Sequence, residues 1–236
     1  MLSKFGVATV YHYAPFHYLP FIARRGALLS KTTLRQLGFA DSHFRSTSRA
    51  QDEARGFARY VHLTLDAHPP ILRAKLSSGF PHFEVALSGV DFNGIDYLLC
   101  RFNIAKTRYF RGAKQAPIES EKNGRYHSDL RLPVAVTLAQ RETLLRLNLG
   151  ENMIEVLVPD QMPINERTVL RFFHDEDLTC AREVLQQLGI KTYETARDVA
   201  IDYKPALKYR DAVKAALARS IVDPSWRGAG LEFDRV

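Results

Sequence analysis

Apolar residues come in short runs along this chain, separated by polar and basic intervals, with strand-like and helix-like stretches mixed rather than regularly alternating. That pattern predicts an α+β fold. Val7 to Tyr13 reads as a first strand, and Pro15 to Arg25 as a helix stopped at Gly26, a residue suited to a left-handed C-terminal turn. Lys31 to Gly56 is rich in Ser, Thr and Arg and reads as a long loop, or a loop holding a short helix. Arg59 to Leu65, Phe83 to Leu87 and Asp96 to Ile104 predict further strands, with a turn at Pro69-Pro70. Lys106 to Asp129 is basic and carries the turn residues Gly112, Pro117 and Lys122-Asn123-Gly124, so it reads as an exposed loop of a length that is usually functional or disordered. Pro133 to Leu138, Ile154 to Val158 and Thr168 to Phe173 add strands. Asp175 or Asp177 is expected to cap a helix ending near Gly189, and Lys208 to Ser220 forms a last amphipathic helix. No repeat or linker divides the chain. The expectation is one domain over 1–236, with a core spanning 1–175 and a helical C-terminal extension over 176–236.

One residue breaks the apolar pattern in an informative way. Glu155 sits inside the run Ile154-Glu155-Val156-Leu157-Val158, closed by Pro159. A buried strand seldom carries a carboxylate without a purpose, because desolvating the charge is costly. From spacing alone, a catalytic carboxylate and a strand glutamate paired with an arginine stand about even.

Composition narrows the setting. A chain of 236 residues that is 46% hydrophobic can bury a full core. Cys100 and Cys180 lie far apart in apolar stretches, which suits buried thiols in a reducing compartment. No stretch approaches the roughly 18 to 20 apolar residues of a membrane helix, and the early apolar run is broken by His12, Pro15, His17 and Pro20, so a cytoplasmic protein without a membrane partner is expected. The net charge of +7 is unevenly placed: residues 1–60 and 101–146 each carry +6, while 61–100 carry −2 and 147–236 carry −3. Two basic segments sharing a face would suit a polyanion.

Several motifs fail. Gly228-Ala229-Gly230 has neither a strand before it nor a helix after it, and no phosphate-loop signature of the Walker type occurs. His12 and His17 straddle a strand-to-helix junction with no acidic or thiol partner to complete a ligand set, so no metal is expected. His62 and His68 read as surface or strand-end residues.

Three separated elements then occur in a telling order: Val10-Tyr11-His12-Tyr13 running into a helix that ends Gly26-Ala27-Leu28, then Arg59-Tyr60-Val61-His62-Leu63, then Ile154-Glu155-Val156-Leu157-Val158-Pro159. The set resembles the His-Tyr-Glu arrangement of ADP-ribosyltransferases, and within them the DarT toxins, which ADP-ribosylate a base of single-stranded DNA. The likeness runs from residue 7 to residue 175. It departs at His62-Leu63-Thr64-Leu65, where the family tends to carry a longer aromatic run, and this leaves thymine and guanine both open as target bases. The resemblance implies a split β-sheet core with flanking helices and an NAD cleft, NAD as co-substrate, single-stranded DNA (or RNA) as target, and a cognate antitoxin as partner. It implies Glu155 as the catalytic carboxylate, and His12 as the residue holding NAD through the adenosine ribose with Tyr11 beside it. Tyr60 would stack on nicotinamide.

Each role has a chemical reason. Breaking the nicotinamide–ribose bond builds positive charge on the ribose, and a fixed carboxylate stabilises it. Arg45 and Arg49 could clamp the diphosphate bidentately or offset charge at the reacting centre, with Arg55 as a competitor. Arg108, Tyr109, Phe110 and Arg111, with Arg131 and Arg141, interleave charge and aromatic faces in the manner of single-strand binding surfaces. Two other readings stay open: a non-catalytic basic single-strand-binding module, and a metal-free ribonuclease using His12 and arginines.

Overall fold

The structure is a computed structural model, and it describes residues 2–39, 53, 56–100, 134–135, 139, 141, 142, 145 and 154–227. The architecture is mixed α+β. Ten strands are described: β1 (Thr9–Pro15), β2 (Ala27–Leu29), β3 (Tyr60–Thr64), β4 (His82–Ser88), β5 (Leu98–Cys100), β6 (Val134–Ala135), β7 (Glu155–Pro159), β8 (Gln161–Pro163), β9 (Thr168–Phe172) and β10 (Glu194–Arg197). The α-helices are α1 (Leu19–Arg25), α2 (Lys31–Gln36), α3 (Pro70–Ser77), α4 (Asp175–Gln187) and α5 (Leu207–Val222). Eight strands form one sheet in the order β10-β9-β4-β1-β3-β7-β5-β6, and β2 pairs with β8 in a small second sheet.

The large sheet is mostly antiparallel, and its pairing is uneven in a way that matters. β1 meets β4 in seven register pairs from Thr9↔Ser88 to Pro15↔His82, and β3 meets β7 in five from Tyr60↔Pro159 to Thr64↔Glu155. Between β1 and β3, at the middle of the sheet, the only register pair is Tyr11↔Thr64. The sheet is therefore two ladders, β10-β9-β4-β1 and β3-β7-β5-β6, joined at one rung and parting beside it. One face packs Val10, Ala14, Val61, Leu63, Val85, Val156, Val158 and Leu170 into the main core. That face also receives α1, α4 and α5.

Local chemistry explains the helices. Gly26 stops α1 at φ 65 with its N–H on the Ile22 carbonyl, as its position after an apolar run predicted. Arg24 of α1 donates to the Ser220 and Ile221 carbonyls at 2.6 and 2.8 Å, satisfying the open end of α5. The polar stretch after Lys31 begins as a helix because Ser30 caps it, its Oγ accepting from the Thr33 N–H at 3.1 Å. Pro69-Pro70 opens α3 instead of merely turning the chain, since a proline in the first helical turn sacrifices no hydrogen bond. At α4 the cap is His174, which accepts from the Glu176 N–H, rather than Asp175 or Asp177; those two lie inside the first turn. β10 lies within 176–236 and pairs parallel to β9.

Candidate active site

The parting of the sheet is where the predicted residues converge. In antiparallel pairs, register partners point to the same face, so Tyr11↔Thr64, Thr64↔Glu155 and Cys100↔Glu155 place Tyr11, Thr64, Glu155 and Cys100 on one face. The period of two adds Tyr60 and His62 from β3. Glu155 is 5% exposed, and its Oε2 lies 3.7 Å from His62 Nδ1. The His62 Nε2 lies 3.1 Å from the Phe57 carbonyl, which can only accept, so this nitrogen carries a proton. Burial, and then the charge of Glu155, push the Cys100 thiol well above its usual range, which keeps it a neutral wall of the site.

His12 bridges the split. Its Nδ1 lies 2.9 Å from the His62 carbonyl, so the ring donates to a backbone acceptor that the departing β1–β3 ladder leaves uncovered. Burial depresses the His12 pKa to about 4, the bond to the His62 carbonyl opposes this, and Lys75, His62 and Lys31 push in the same direction as burial. At neutral pH the ring is uncharged with Nδ1 protonated, and Nε2 is an acceptor. That is the form able to receive a hydrogen bond from a ribose hydroxyl.

Tyr11 packs beside Tyr13, with the Arg171 guanidinium 5.8 Å above its ring. Tyr60 lies against Phe57, with ring centroids 6.0 Å apart, and under the Arg59 guanidinium at 5.1 Å. Arg141, expected on the nucleic-acid surface, stacks over Tyr97 at 4.5 Å with Asp96 at 4.0 Å, and its side chain is 15% exposed. Arg45, Arg49, Arg55, Arg108, Tyr109, Phe110, Arg111 and Arg131 lie outside the described residues.

Three residues whose charges bear on His12 escaped the sequence reading. His62 was visible in principle, because it stands two places from Tyr60 on a strand and must share its face. Lys75 and Lys31 were not, because both belong to helices that looked like loop or turn. Among the described residues no cluster of three His, Cys, Asp or Glu side chains has the spacing of a metal site. No helix among them is long and apolar enough to cross a membrane.

A sheet split between a histidine strand and a glutamate-bearing ladder is the core of an ADP-ribosyltransferase-like fold. Among solved structures the fold is that of DarT. The chain superposes on Thermus sp. 2.9 DarT in complex with ADP-ribosylated single-stranded DNA with a TM-score of 0.51 and 16% identity, over 82% of this chain and 95% of that one. For the same protein in complex with NAD+ the TM-score is 0.50 and the identity 15%, over 81% and 96% of the two chains. Thermosipho africanus DarTG in complex with ADP-ribose gives 0.52 at 12% identity, over 81% of this chain and 50% of that one. No family profile and no curated protein sequence matches the chain.

Proposed function

We propose that this protein is an NAD-dependent ADP-ribosyltransferase that attaches ADP-ribose to a base of single-stranded DNA and releases nicotinamide. The observation that supports the reading is buried Glu155 on β7 next to Thr64, the residue of the sheet's single joining rung, with neutral His12 bonded to β3 at the same parting, in a fold shared with DarT structures bound to NAD+ and to ADP-ribosylated DNA. In this mechanism His12 Nε2 holds the adenosine ribose, and Tyr60 offers its ring to the nicotinamide. The bond from the ribose C1′ to the nicotinamide nitrogen breaks, and its electron pair leaves with nicotinamide. Glu155 stabilises the cationic ribose that forms and hydrogen-bonds its hydroxyl. A base nitrogen then attacks C1′, and Glu155 takes the proton it loses.

Arg45 or Arg49 would offset the diphosphate charge, and the basic segment with Arg108, Tyr109, Phe110, Arg111 and Arg131 would carry the strand. A cytoplasmic toxin paired with an antitoxin follows from the family likeness. Incubation of the purified chain with labelled NAD and single-stranded DNA tests the core of the proposal. Label is expected on the oligonucleotide, with mass spectrometry naming the base, and Glu155→Ala abolishes it. Cutting of RNA without NAD, or salt-sensitive binding without transfer to any base, would replace this reading with a nuclease or a binding module.

A further inference from the structure

The Thr64 rung and the His12 bond are not the only joints across the parting, because the turn that leaves β3 does not stay with its own ladder. The Asp66 carbonyl accepts from the Tyr13 hydroxyl of β1 at 3.1 Å. Two residues on, His68 Nε2 lies 2.5 Å from Oδ2 of Asp198, the residue directly after β10. The His68 ring also meets Phe173, the residue after β9, edge to face at 6.2 Å. In the sheet β4 and β1 stand between β9 and β3, so the ion pair ties the turn to the far side of the other ladder. Both ends are set. Asp198 donates its N–H to the Phe172 carbonyl at 2.8 Å and takes the Ala200 N–H on Oδ1 at 2.9 Å, which fixes the carboxylate to the end of β9. Burial works against its ionisation, but the Ala200 N–H and His68 outweigh burial and hold the Asp198 pKa below its ordinary value. A carboxylate can only accept, so His68 Nε2 carries the proton. At the other end the His68 backbone is left-handed, with φ 54, immediately before Pro69. A non-glycine residue seldom takes that conformation, and a following proline restricts it further, so the contacts of the side chain hold the turn in this form.

We propose that His68 and Asp198 are positioning residues for the transfer reaction: their ion pair, together with the Tyr13–Asp66 bond, clamps the two ladders across the parting and sets the spacing between His12 on β1 and Glu155 on β7. The proposal rests on the transferase reading, in which NAD spans those two residues, and adds to it what keeps them at a fixed separation. Neither His68 nor Asp198 needs to touch the dinucleotide. Thr64 is the register partner of Glu155, and only three residues lie between it and His68, so a shift of the turn passes into β3 and β7 over a short stretch of chain. Holding both ends of a substrate at the right spacing is a large part of catalysis, and small misplacements are costly.

Kinetics of ADP-ribosyl transfer from NAD to single-stranded DNA by the full chain, with adenosine as a competing ligand, test the clamp. His68→Asn tolerates the left-handed turn but is too short to reach Asp198, and Asp198→Ser can still accept from the Ala200 N–H but is too short to reach His68. Each should raise the KM for NAD by about tenfold, the scale of one lost charge-assisted hydrogen bond. The inhibition constant of adenosine, which reaches only the His12 end, should stay within about twofold of the wild type. The double variant should be no worse than either single one, because all three break the same link. His68→Gly, which takes the left-handed turn without strain, repeats the measurement in a chain whose folding the turn cannot impair. A pair that served folding alone would lower the melting temperature and the fraction of active chain, and hence kcat, without moving either constant. A wild-type chain that neither binds NAD nor transfers ADP-ribose overturns the transferase reading and the positioning role with it. Wild-type transfer whose KM for NAD stays within about twofold in all of these variants overturns the positioning role alone.

Discussion

Each half of the split sheet buries one carboxylate on the same face, and the surroundings treat the two oppositely. Glu84 on β4 is 0% exposed, and Arg171 of β9, its register partner, donates to its Oε1 at 3.1 Å. Burial raises the Glu84 pKa, and Arg171 and His68 pull it back. Glu155 on β7 is nearly as buried, but its register partners are Thr64 and Cys100, and His62 stands 3.7 Å off. In the β1–β4–β9 half the negative charge is matched by an arginine inside the ladder. In the β3–β7 half the two register positions beside Glu155 hold a threonine and a cysteine instead of an arginine. The Glu84 charge is thus held inside one ladder by a neighbouring strand's arginine, whereas Glu155 stands beside the parting between the two ladders.

The largest expected effect breaks that comparison directly. Glu155→Gln should cut ADP-ribosyl transfer by about a thousandfold, the scale of losing a preorganised charge at the reacting centre, while shifting the melting temperature little. Glu84→Gln should do the reverse. Parallel measurement of transfer rate and melting for the two variants checks this, and equal losses of activity at both positions would erase the distinction drawn between the carboxylates.

Next in size is the cost of orphaning the matched charge. Arg171→Ala leaves Glu84 buried without its cation and should destabilise the fold by about 2–3 kcal/mol, below the fully buried range because the Arg171 side chain is 31% exposed. Urea unfolding would show it as a lower midpoint with an unchanged slope. Arg171→Ala and Glu84→Gln combined should cost less than the two separate losses added together, since neutralising the carboxyl relieves the orphan.

The third effect belongs to the seam. Folding depresses the His12 pKa from 6.5 to about 4, so between those values the unfolded chain binds the proton more tightly. The contribution is fully present above about pH 6.5, and it is lost as pH falls toward about 4, amounting to roughly 3 kcal/mol. His12→Gln can still donate to the His62 carbonyl but does not titrate in this range, so it should flatten that part of the stability–pH curve. A wild-type curve equally flat over this range would mean that His12 is charged or exposed.

How far these features were legible follows from their range along the chain. The strands holding His12, Tyr60 and Glu155 could be read from short apolar runs, because a strand's pattern is local. That β1 and β3 share a single rung could not be, because pairing between distant segments leaves no local mark. Nor could the contrast between Glu84 and Glu155: both stand in apolar strands, and only the sheet order gives Arg171 to one and His62 to the other. α3 was hidden behind Pro69-Pro70, which announces a turn and a helix start alike, and Lys75 was hidden with it.

The smallest effect probes the rung itself. Thr64 pairs with Tyr11 on one side and Glu155 on the other, so it is the residue through which the two halves meet. Its Oγ1 donates to the Asp66 carbonyl at 2.8 Å, and the same carbonyl receives the Tyr13 hydroxyl at 3.1 Å, which ties β1 to the turn after β3. Thr64→Val keeps the β-branched shape and removes only the hydroxyl. Because Tyr13 still covers the Asp66 carbonyl, the loss should be about 0.5–1 kcal/mol. If the halves need this joint to keep β1 and its His12 in place beside β3, the variant should also weaken NAD binding while Tyr13→Phe, which leaves the Thr64 bond in place, weakens it less. Equal and negligible effects from both would show that the backbone rung alone fixes the geometry of the site, with the side-chain bonds around Asp66 serving only the turn.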